Sequence, residues 1–378
     1  MLEISLLGTA RELEGLREEW NSLLQVSAAD TVFLTWEWVS AWWKNYGSDK
    51  TLWLLRIRDG DSVVALVPLY LKTFRRYGFS YTGAYFVGDG SADSDYLDVI
   101  VRKGDEERVA QTFAAFCLDG KLPADLLFLN EVPETSDVLN HLQHGVQGWH
   151  WQQTEIPCMY VDLPDDWETY LRGLAPRMRT KIRSLTRELE RNRVVRYEGS
   201  PSEEQLAGRL EDLFRLHRLR WQTKNREGVF VSVNKRRFYY EMSSNFLAKD
   251  WLRFYSLAVG NKYVAHQFCF EYKETMFLLQ EGFDPEWADL GIGNVLRAHV
   301  FRDCIERGVK RYDFLGGATP HKQSWGGTIK NSLRVAVGKP LPKNALFFGV
   351  PRILDAGKDS LKAVLPARVL AWRRSLLS

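Results

Sequence analysis

The sequence predicts an α/β (α+β) protein built from two tandem units, each a mixed central sheet flanked by helices, with a helical tail at the C-terminus. Three observations predict it. The first is a repeated hairpin: Leu52 to Tyr70 reads as two apolar, β-prone strands joined at Asp59-Gly60, and Leu252 to Phe270 repeats the design around Gly260-Asn261 two hundred positions later. Gly60, Val64 and Ala65 return at that same offset as Gly260, Val264 and Ala265, which points to an internal duplication, with chance likeness of two hairpins as the competing reading. The second is that helical and strand patterns alternate before and after each hairpin. The third is size, since 378 residues with 45% hydrophobic content can bury one large core or two ordinary ones. The boundaries expected are 1–155 for an N-terminal structural or acceptor-side unit, 156–340 for a catalytic unit and 341–378 for a basic amphipathic tail.

Composition narrows the function. Charged residues make up 26%, which speaks against wholesale disorder, and the net charge of +3 gives no general nucleic-acid footprint, so DNA is not expected as a partner. The four cysteines, Cys117, Cys158, Cys269 and Cys304, are widely spaced in apolar surroundings, with no C-x-x-C pair and no metal-ligand cluster. They read as reduced, buried thiols of a cytoplasmic protein. The N-terminal residues carry an early acid and no basic leader pattern, and no apolar run is long enough to cross a bilayer.

Taken in order, Leu2 to Leu7 suggests a strand and Ala10 to Leu24 an amphipathic helix with Leu13, Leu16, Trp20 and Leu23 on one side. The dense aromatic run Phe33 to Trp43 reads either as a helix packed into the core or as a substrate-stacking surface, with Trp38 as the candidate contact. After the first hairpin come a strand Tyr81 to Val87, the acidic loop Gly88 to Asp95, a strand Tyr96 to Val101, a helix Glu106 to Cys117, a strand Leu126 to Leu129 and a helix Thr135 to His144. The acidic loop does not have the spacing of a calcium-binding loop, so a solvated turn is expected and no metal is assigned. Its carboxylates would also attract a cationic amine.

The second unit opens at Asp165, with Asp166 as a helix cap and Pro176 interrupting the pattern before a strongly basic helix. Against a nearly neutral chain, its arginines, Arg183 among them, are a local excess that reads as a solvated face or as a phosphate-holding acceptor surface. A strand Val194 to Tyr197 precedes a helix Ser202 to Trp221 ending in Leu-His217-Arg-Leu-Arg220-Trp221. His217 is either a hydrogen-bonded core histidine or a group that handles a proton near an acceptor, with Trp221 beside it as a substrate contact. His266 and Gln267 share the second hairpin, and Gln267 is a further candidate contact.

The chemistry is expected in the stretch from Met276 to Gly327. An apolar strand ends at Asp284-Pro285, and a loop closes on Gly291-Ile292-Gly293 before a helix Asn294 to Glu306. Free N–H groups at such a helix start favour an anion, so Gly291, Ile292, Gly293 and Asn294 are assigned to the pyrophosphate of a donor, although paired glycines also serve plain turns. A second strand, Arg311-Tyr-Asp313-Phe-Leu-Gly-Gly317, leads into His321-Lys322-Gln-Ser-Trp325-Gly-Gly327. Under the acyl-transfer chemistry that the family resemblance of this stretch implies, Lys322 is the candidate donor to a developing oxyanion, Asp313 and Glu281 are candidate bases, and Trp325 is a candidate substrate contact. Nothing resembles a nucleophile elbow, which suits direct attack without a covalent enzyme intermediate.

The ordered run Phe-Asp-Pro, Gly-x-Gly, helix, Tyr-Asp-Phe-x-x-Gly and His-Lys-x-x-Trp-Gly resembles the C-terminal half of the acetyltransferase family named after the cellulose-biosynthesis protein CelD. That family belongs to the GNAT superfamily of acyl-CoA-dependent N-acyltransferases and is related to the FemABX aminoacyl and peptidyl transferases. The resemblance implies a double GNAT fold and acetyl-CoA or another acyl-CoA as donor. It further implies an amine acceptor from a cell-envelope or polysaccharide precursor, and a lysine at position 322 that approaches the acyl carbonyl. Ala288 departs from the GNAT loop pattern, where glutamine or arginine is common, and leaves open a Fem-like aminoacyl-tRNA donor. A protein that only binds a glycan is the non-catalytic alternative. Beyond Pro340, the amphipathic segment Ala356 to Leu377 reads as a helix packed on the body or as a contact with the inner face of a membrane.

Overall fold

The computed structural model describes residues 2–351. The first half runs β1 (Glu3–Leu7), α1 (Ala10–Gly15), α2 (Arg17–Gln25), α3 (Trp36–Tyr46), β2 (Thr51–Asp59), β3 (Ser62–Arg76), β4 (Phe79–Phe86), β5 (Ile100–Val101), α4 (Glu106–Leu118), β6 (Leu126–Pro133), α5 (Asp137–Gly145) and β7 (His150–Asp162). The second runs α6 (Trp167–Gly173), α7 (Pro176–Asn192), β8 (Val195–Glu198), α8 (Glu203–Gln222), α9 (Val233–Ala248), β9 (Leu252–Val259), β10 (Lys262–Tyr272), β11 (Thr275–Phe283), α10 (Ile292–Glu306), β12 (Arg311–Gly316), α11 (Pro320–Ser324) and β13 (Thr328–Gly338). Positions 342–351 are helical, and the segment Ala356 to Leu377 lies outside the described residues. Among the described residues no helix is long and apolar enough to cross a membrane.

The duplicated hairpin is real down to its irregularities. Gly60 and Gly260 both turn the chain at φ 59°, a left-handed conformation that costs glycine nothing. In each hairpin the register slips so that Val64 or Val264 is the extra, unpaired residue of a bulge. The bulged carbonyls then accept equivalent hydrogen bonds from the next crossover, Arg102 N–H to Val64 at 2.9 Å and Asp284 N–H to Val264 at 2.8 Å. The matched valines thus hold the crossover in both halves.

All the strands join one sheet in the order β1-β2-β3-β4-β6-β13-β7-β12-β11-β10-β9-β8, with β5 added beside β3. Each half repeats an antiparallel meander followed by a parallel neighbour, β4 beside β6 and β11 beside β12. The last strands are exchanged: β13 pairs with β6 of the first half, β7 pairs with β12 of the second, and the two exchanged strands pair with each other over eleven register positions. The sheet is therefore continuous through the junction.

Alternate residues of the second meander feed two cores, as a strand buried on both faces requires. Phe254, Phe268, Phe270 and Phe277 enter a cluster shared with α8, α9 and the first half, while Tyr255, Leu257, Cys269, Met276 and Leu278 enter a cluster with α6, α7 and α10. Trp38 is fully buried in the first of these, edge-on to Phe33 at 4.9 Å and Phe238 at 5.1 Å, with its indole N–H on Ser94 Oγ. It welds α3 to α9 across the two halves, so the substrate-stacking expectation for Trp38 is corrected to a core role. The acidic loop is likewise no solvated turn. Asp93 is buried and accepts from Lys235 Nζ at 2.8 Å and from the Tyr239 hydroxyl at 3.1 Å, which ties the loop to α9. The strand expected from Tyr96 is reduced to Ile100–Val101 because Tyr96 itself has φ 54°.

Candidate active site

The site forms where β11 and β12 part. They pair in parallel only from Thr275 and Arg311 to Phe277 and Asp313. Beyond that point the segment from Leu278 to Phe283 loses its neighbour on this side, and alternate backbone groups open onto a cleft of about 700 Å³. At the far end of β11, Asp284 caps a 3-10 turn, Pro285–Leu290, by accepting the Glu286 N–H at 3.1 Å. Gly291 follows at φ 58° and starts α10. A Cβ there would sit 2.6 Å from Leu185 of α7, so glycine is needed for space as well as for conformation.

The first hydrogen bond closing α10 runs from Asn294 N–H to the Gly291 carbonyl at 2.8 Å, so the N–H groups of Ile292 and Gly293 precede the helical ladder. Gly291, Ile292, Gly293 and Asn294 all line a cavity of about 250 Å³, into which no acidic residue of the first helical turn intrudes. The Asn294 side-chain oxygen is buried without a partner. This cavity shares Arg220, Glu281, Arg297 and His321 with the larger cleft, so the two adjoin across these side chains.

Those four residues form a charged neck. Glu281 takes Arg220 at 3.0 Å through one oxygen and Arg297 through the other, and Arg297 also reaches His321 Nε2. Burial would raise the Glu281 carboxyl, but the two guanidiniums outweigh it and hold it at about 2. An acid so firmly ionised is a poor proton acceptor, and the expectation that Glu281 serves as a base is corrected to that of an arginine holder. Burial, with Arg297 and Arg220 nearby, pushes His321 down to about 4 and leaves it neutral.

His217 lies over β11 because Gly282 lets α8 approach, and a Cβ on Gly282 would stand 2.7 Å from the His217 backbone nitrogen. Burial and then the Arg220 charge push its imidazole down to about 4. Its Nε2 accepts the Trp221 indole N–H at 2.8 Å, so the proton resides on Nδ1, which is buried without a partner. His217 and Trp221 both line the cleft, His217 as a neutral, engaged imidazole.

Lys322 also lines the cleft, and does not point to bulk water. Its ammonium donates to the carbonyls of Phe314 at 2.9 Å, Leu315 at 3.3 Å and Gly316 at 2.7 Å, using all three of its protons at the frayed end of β12. Burial is the main influence lowering its pKa. On the wall of the same cleft stands Asp95, which the sequence marked only as the last residue of the acidic loop. Burial pushes the Asp95 carboxyl up to about 7, with the charges of Glu131 and Asp313 adding to the rise. Only the Cys158 thiol, at 3.9 Å, is directed at it among the described residues.

Other expected site residues are not brought here. Asp313 is fully buried, accepts from the Tyr96 hydroxyl at 3.0 Å, from Lys330 at 2.7 Å and from the Leu315 N–H at 2.8 Å, and borders a separate cavity. Its carboxylate is saturated, and what it does is hold Leu315 at φ 59°, the strained turn that offers carbonyls to Lys322. Gln267 is buried and accepts the Tyr312 hydroxyl at 3.1 Å, and Trp325 is fully buried beside Phe301. Neither can touch a substrate. Arg183 pairs with Glu168 at 2.5 Å and lines a different cavity. Arg297 was missed, His321 was read only as part of the His-Lys-x-x-Trp-Gly motif, and Asp95 only as the end of the acidic loop. The signal that could have found Arg297 is a charge on a helix that is buried on nearly every side.

A sheet split between parallel strands, with an open helix N-terminus at the split, defines a GNAT-fold transferase. Residues 176–323 match the family described as "Acetyltransferase (GNAT) domain", and this part of the chain is an acetyltransferase domain of the GNAT superfamily. The whole fold is related to that of FemX, with a TM-score of 0.61 and 11% identity over 88% of this chain and 96% of FemX. It is also similar to L-PGS from Bacillus licheniformis, with a TM-score of 0.51 and 13% identity over 92% of this chain and 96% of that one. A conserved protein of unknown function from Bacteroides thetaiotaomicron gives a TM-score of 0.56 and 14% identity over 89% and 100% of the two chains. At these identities the likeness is one of fold. No curated protein matches the sequence.

Proposed function

We propose that the protein is an N-acyltransferase that moves an acyl group, acetyl in the simplest case, from acyl-CoA to an amine of a cell-envelope, polysaccharide or related small-molecule precursor. The observation that carries this reading is that the cavity at the first turn of α10 adjoins the cleft where β11 and β12 separate, with four side chains common to both. The donor pyrophosphate is received by the N–H groups of Ile292 and Gly293 and by the positive end of α10, with Arg220 and Arg297 in the neck. The thioester then lies along the open edge of β11.

The acceptor amine enters beside Asp95 and attacks the thioester carbon. A nitrogen–carbon bond forms, the carbon–sulfur bond breaks, and the amine proton passes to the Asp95 carboxylate. Backbone N–H groups of the unpaired stretch of β11 meet the oxyanion, joined by Lys322 when it releases the Leu315 carbonyl, the longest of its three contacts. The leaving thiolate, with an ordinary pKa of about 8.5, needs no dedicated acid. An Asp95 that titrates near 7 is matched to this task, since a base works best when its pKa lies near the working pH.

The test is release of free thiol from acetyl-CoA on addition of candidate amines, measured with wild type and Asp95→Asn. Turnover confined to the wild type supports the reading, and thiol release that is the same in both removes Asp95 from it. A second reading, transfer from aminoacyl-tRNA, is favoured by the fold likeness to FemX across nearly its whole length and by Ala288 at the donor loop. Activity that requires charged tRNA and is lost on ribonuclease treatment would replace the acyl-CoA donor with this one.

A further inference from the structure

We propose a second ligand site, separate from the acyl-transfer cleft, that binds a phosphate ester carrying an apolar or aromatic arm. It is a cavity of about 620 Å³ between α6, α7, β8 and α10, and it shares no lining residue with the donor cavity or the cleft. α10 separates the two spaces: it gives Val295, Ala298, His299 and Arg302 to this cavity and Asn294 and Arg297 to the donor side. The volume is in the range of sites that enclose a small molecule, about 300–1,000 Å³.

The wall chemistry specifies the guest. Leu171, Ile182, Val295 and Ala298 make an apolar floor, and Arg183, Arg187, Arg191 and Arg302 surround it. Carboxylates of the fold already hold two of these, Arg183 through Glu168 and Arg302 through Glu306. Glu190, the acid on the wall, is engaged by the Tyr197 hydroxyl at 3.1 Å, while Tyr197 itself stacks on His299 at 4.1 Å. Arg187 and Arg191, one helical turn apart on the same face of α7, have no carboxylate within salt-bridge distance among the described residues. Two guanidiniums at that spacing present more donors than the two oxygens of a carboxylate use, and suit the three free oxygens of a phosphate. The flat Tyr197–His299 pair and the apolar floor then take the remainder of the molecule.

The experiment is calorimetric titration of the full chain with two probes, dihexanoyl phosphatidic acid and uridine diphosphate, against wild type and the Arg187→Gln/Arg191→Gln double variant. A third protein, Ala298→Phe, fills the floor and leaves every arginine in place. Thermal melts verify that each variant is folded. Binding of either probe that weakens about tenfold or more in both variants supports the site, and the probe that binds identifies a lipid or a soluble nucleotide as the source of the phosphate. Binding that survives in either folded variant lies outside this cavity and overturns the proposal, as does failure of both probes to bind folded wild type.

Discussion

α4 and α10 occupy the same place in the two halves, each following the third strand of a meander, yet their positive ends are treated in opposite ways. α4 starts from Asp105 and carries Glu106 and Glu107 in its first turn, and Arg102 and Arg108 clasp Asp105 at 2.7 and 2.8 Å. α10 starts from Gly291, has no acid in its first turn, and leaves Ile292 and Gly293 facing an open cavity. The first half places acids at its helix start, and the second has none in its first turn. Under the proposed function the difference is a division of labour: the same backbone serves as a scaffold in one half and as a donor site in the other, according to a few side chains at one helix start. The first half still reaches the cleft of the second, through the crossover loop ahead of α4, which places Asp95 in its wall.

The comparison breaks most severely at Asp95. Asp95→Asn is expected to lower kcat by about 10²- to 10⁴-fold, the usual reach of a general base, and to abolish the limb of the pH–rate profile that rises through about 7. Its stability should move the other way. The raised pKa means that the folded carboxyl holds its proton more tightly than the unfolded one, so wild type loses stability as pH rises from the ordinary 3.8 toward about 7. Melts at pH 8 should therefore show the asparagine variant more stable, with the gain vanishing below about pH 4.

Glu281 supplies the opposite sign. Its pKa falls from 4.5 to about 2, so its contribution, on the order of 3 kcal/mol, is fully present above 4.5 and is lost as pH drops toward 2. Glu281→Gln should cost a similar amount at pH 7 by leaving the buried Arg297 unpaired, a loss that chemical denaturation would measure.

Transplanting the first half's charge sharpens the contrast further. Asn294→Asp puts an acid into the first turn of α10 without changing its shape, and should change stability little, because the helix-dipole gain of about 0.3–1 kcal/mol is set against the cost of burying the new charge. The same change should raise the KM for acyl-CoA about tenfold, which corresponds to 1.4 kcal/mol of lost anion binding. A melt and a donor titration on one sample test both expectations. The smallest effect is expected from the reverse exchange, Glu106→Gln with Glu107→Gln in α4, which should cost about 0.3–1 kcal/mol and leave the kinetics unchanged.

The hairpins, the Gly291–Gly293 turn and the strand ending at Gly316 were legible because their information is local: turn residues at fixed positions and apolar runs of strand length. β7 and β13 were missed. Their sequences alternate weakly, β7 carries Gln152, Gln153, Thr154 and Glu155 in a row, and what makes them strands is partners far away in the chain. α9 was missed because Lys235 and Ser243 are buried along with Phe238 and Met242, which blurs the stripe that marks an ordinary surface helix. Asp93 and Asp95 look alike in the sequence; one is neutralised by Lys235 and the other is left on a cleft wall, a distinction that depends on α9 and β12. Asp313, Trp38, Gln267 and Trp325 misled for the converse reason, since a polar or aromatic residue next to a motif carries no mark of whether it faces a substrate or the interior.

The trade of final strands between the halves has a genetic consequence. A gene truncated to either half would encode a sheet whose outermost rung is missing, with an exposed, sticky margin beside β6 or β12. Co-expressed fragments severed in the loop after β7 should instead seek each other out and reassemble.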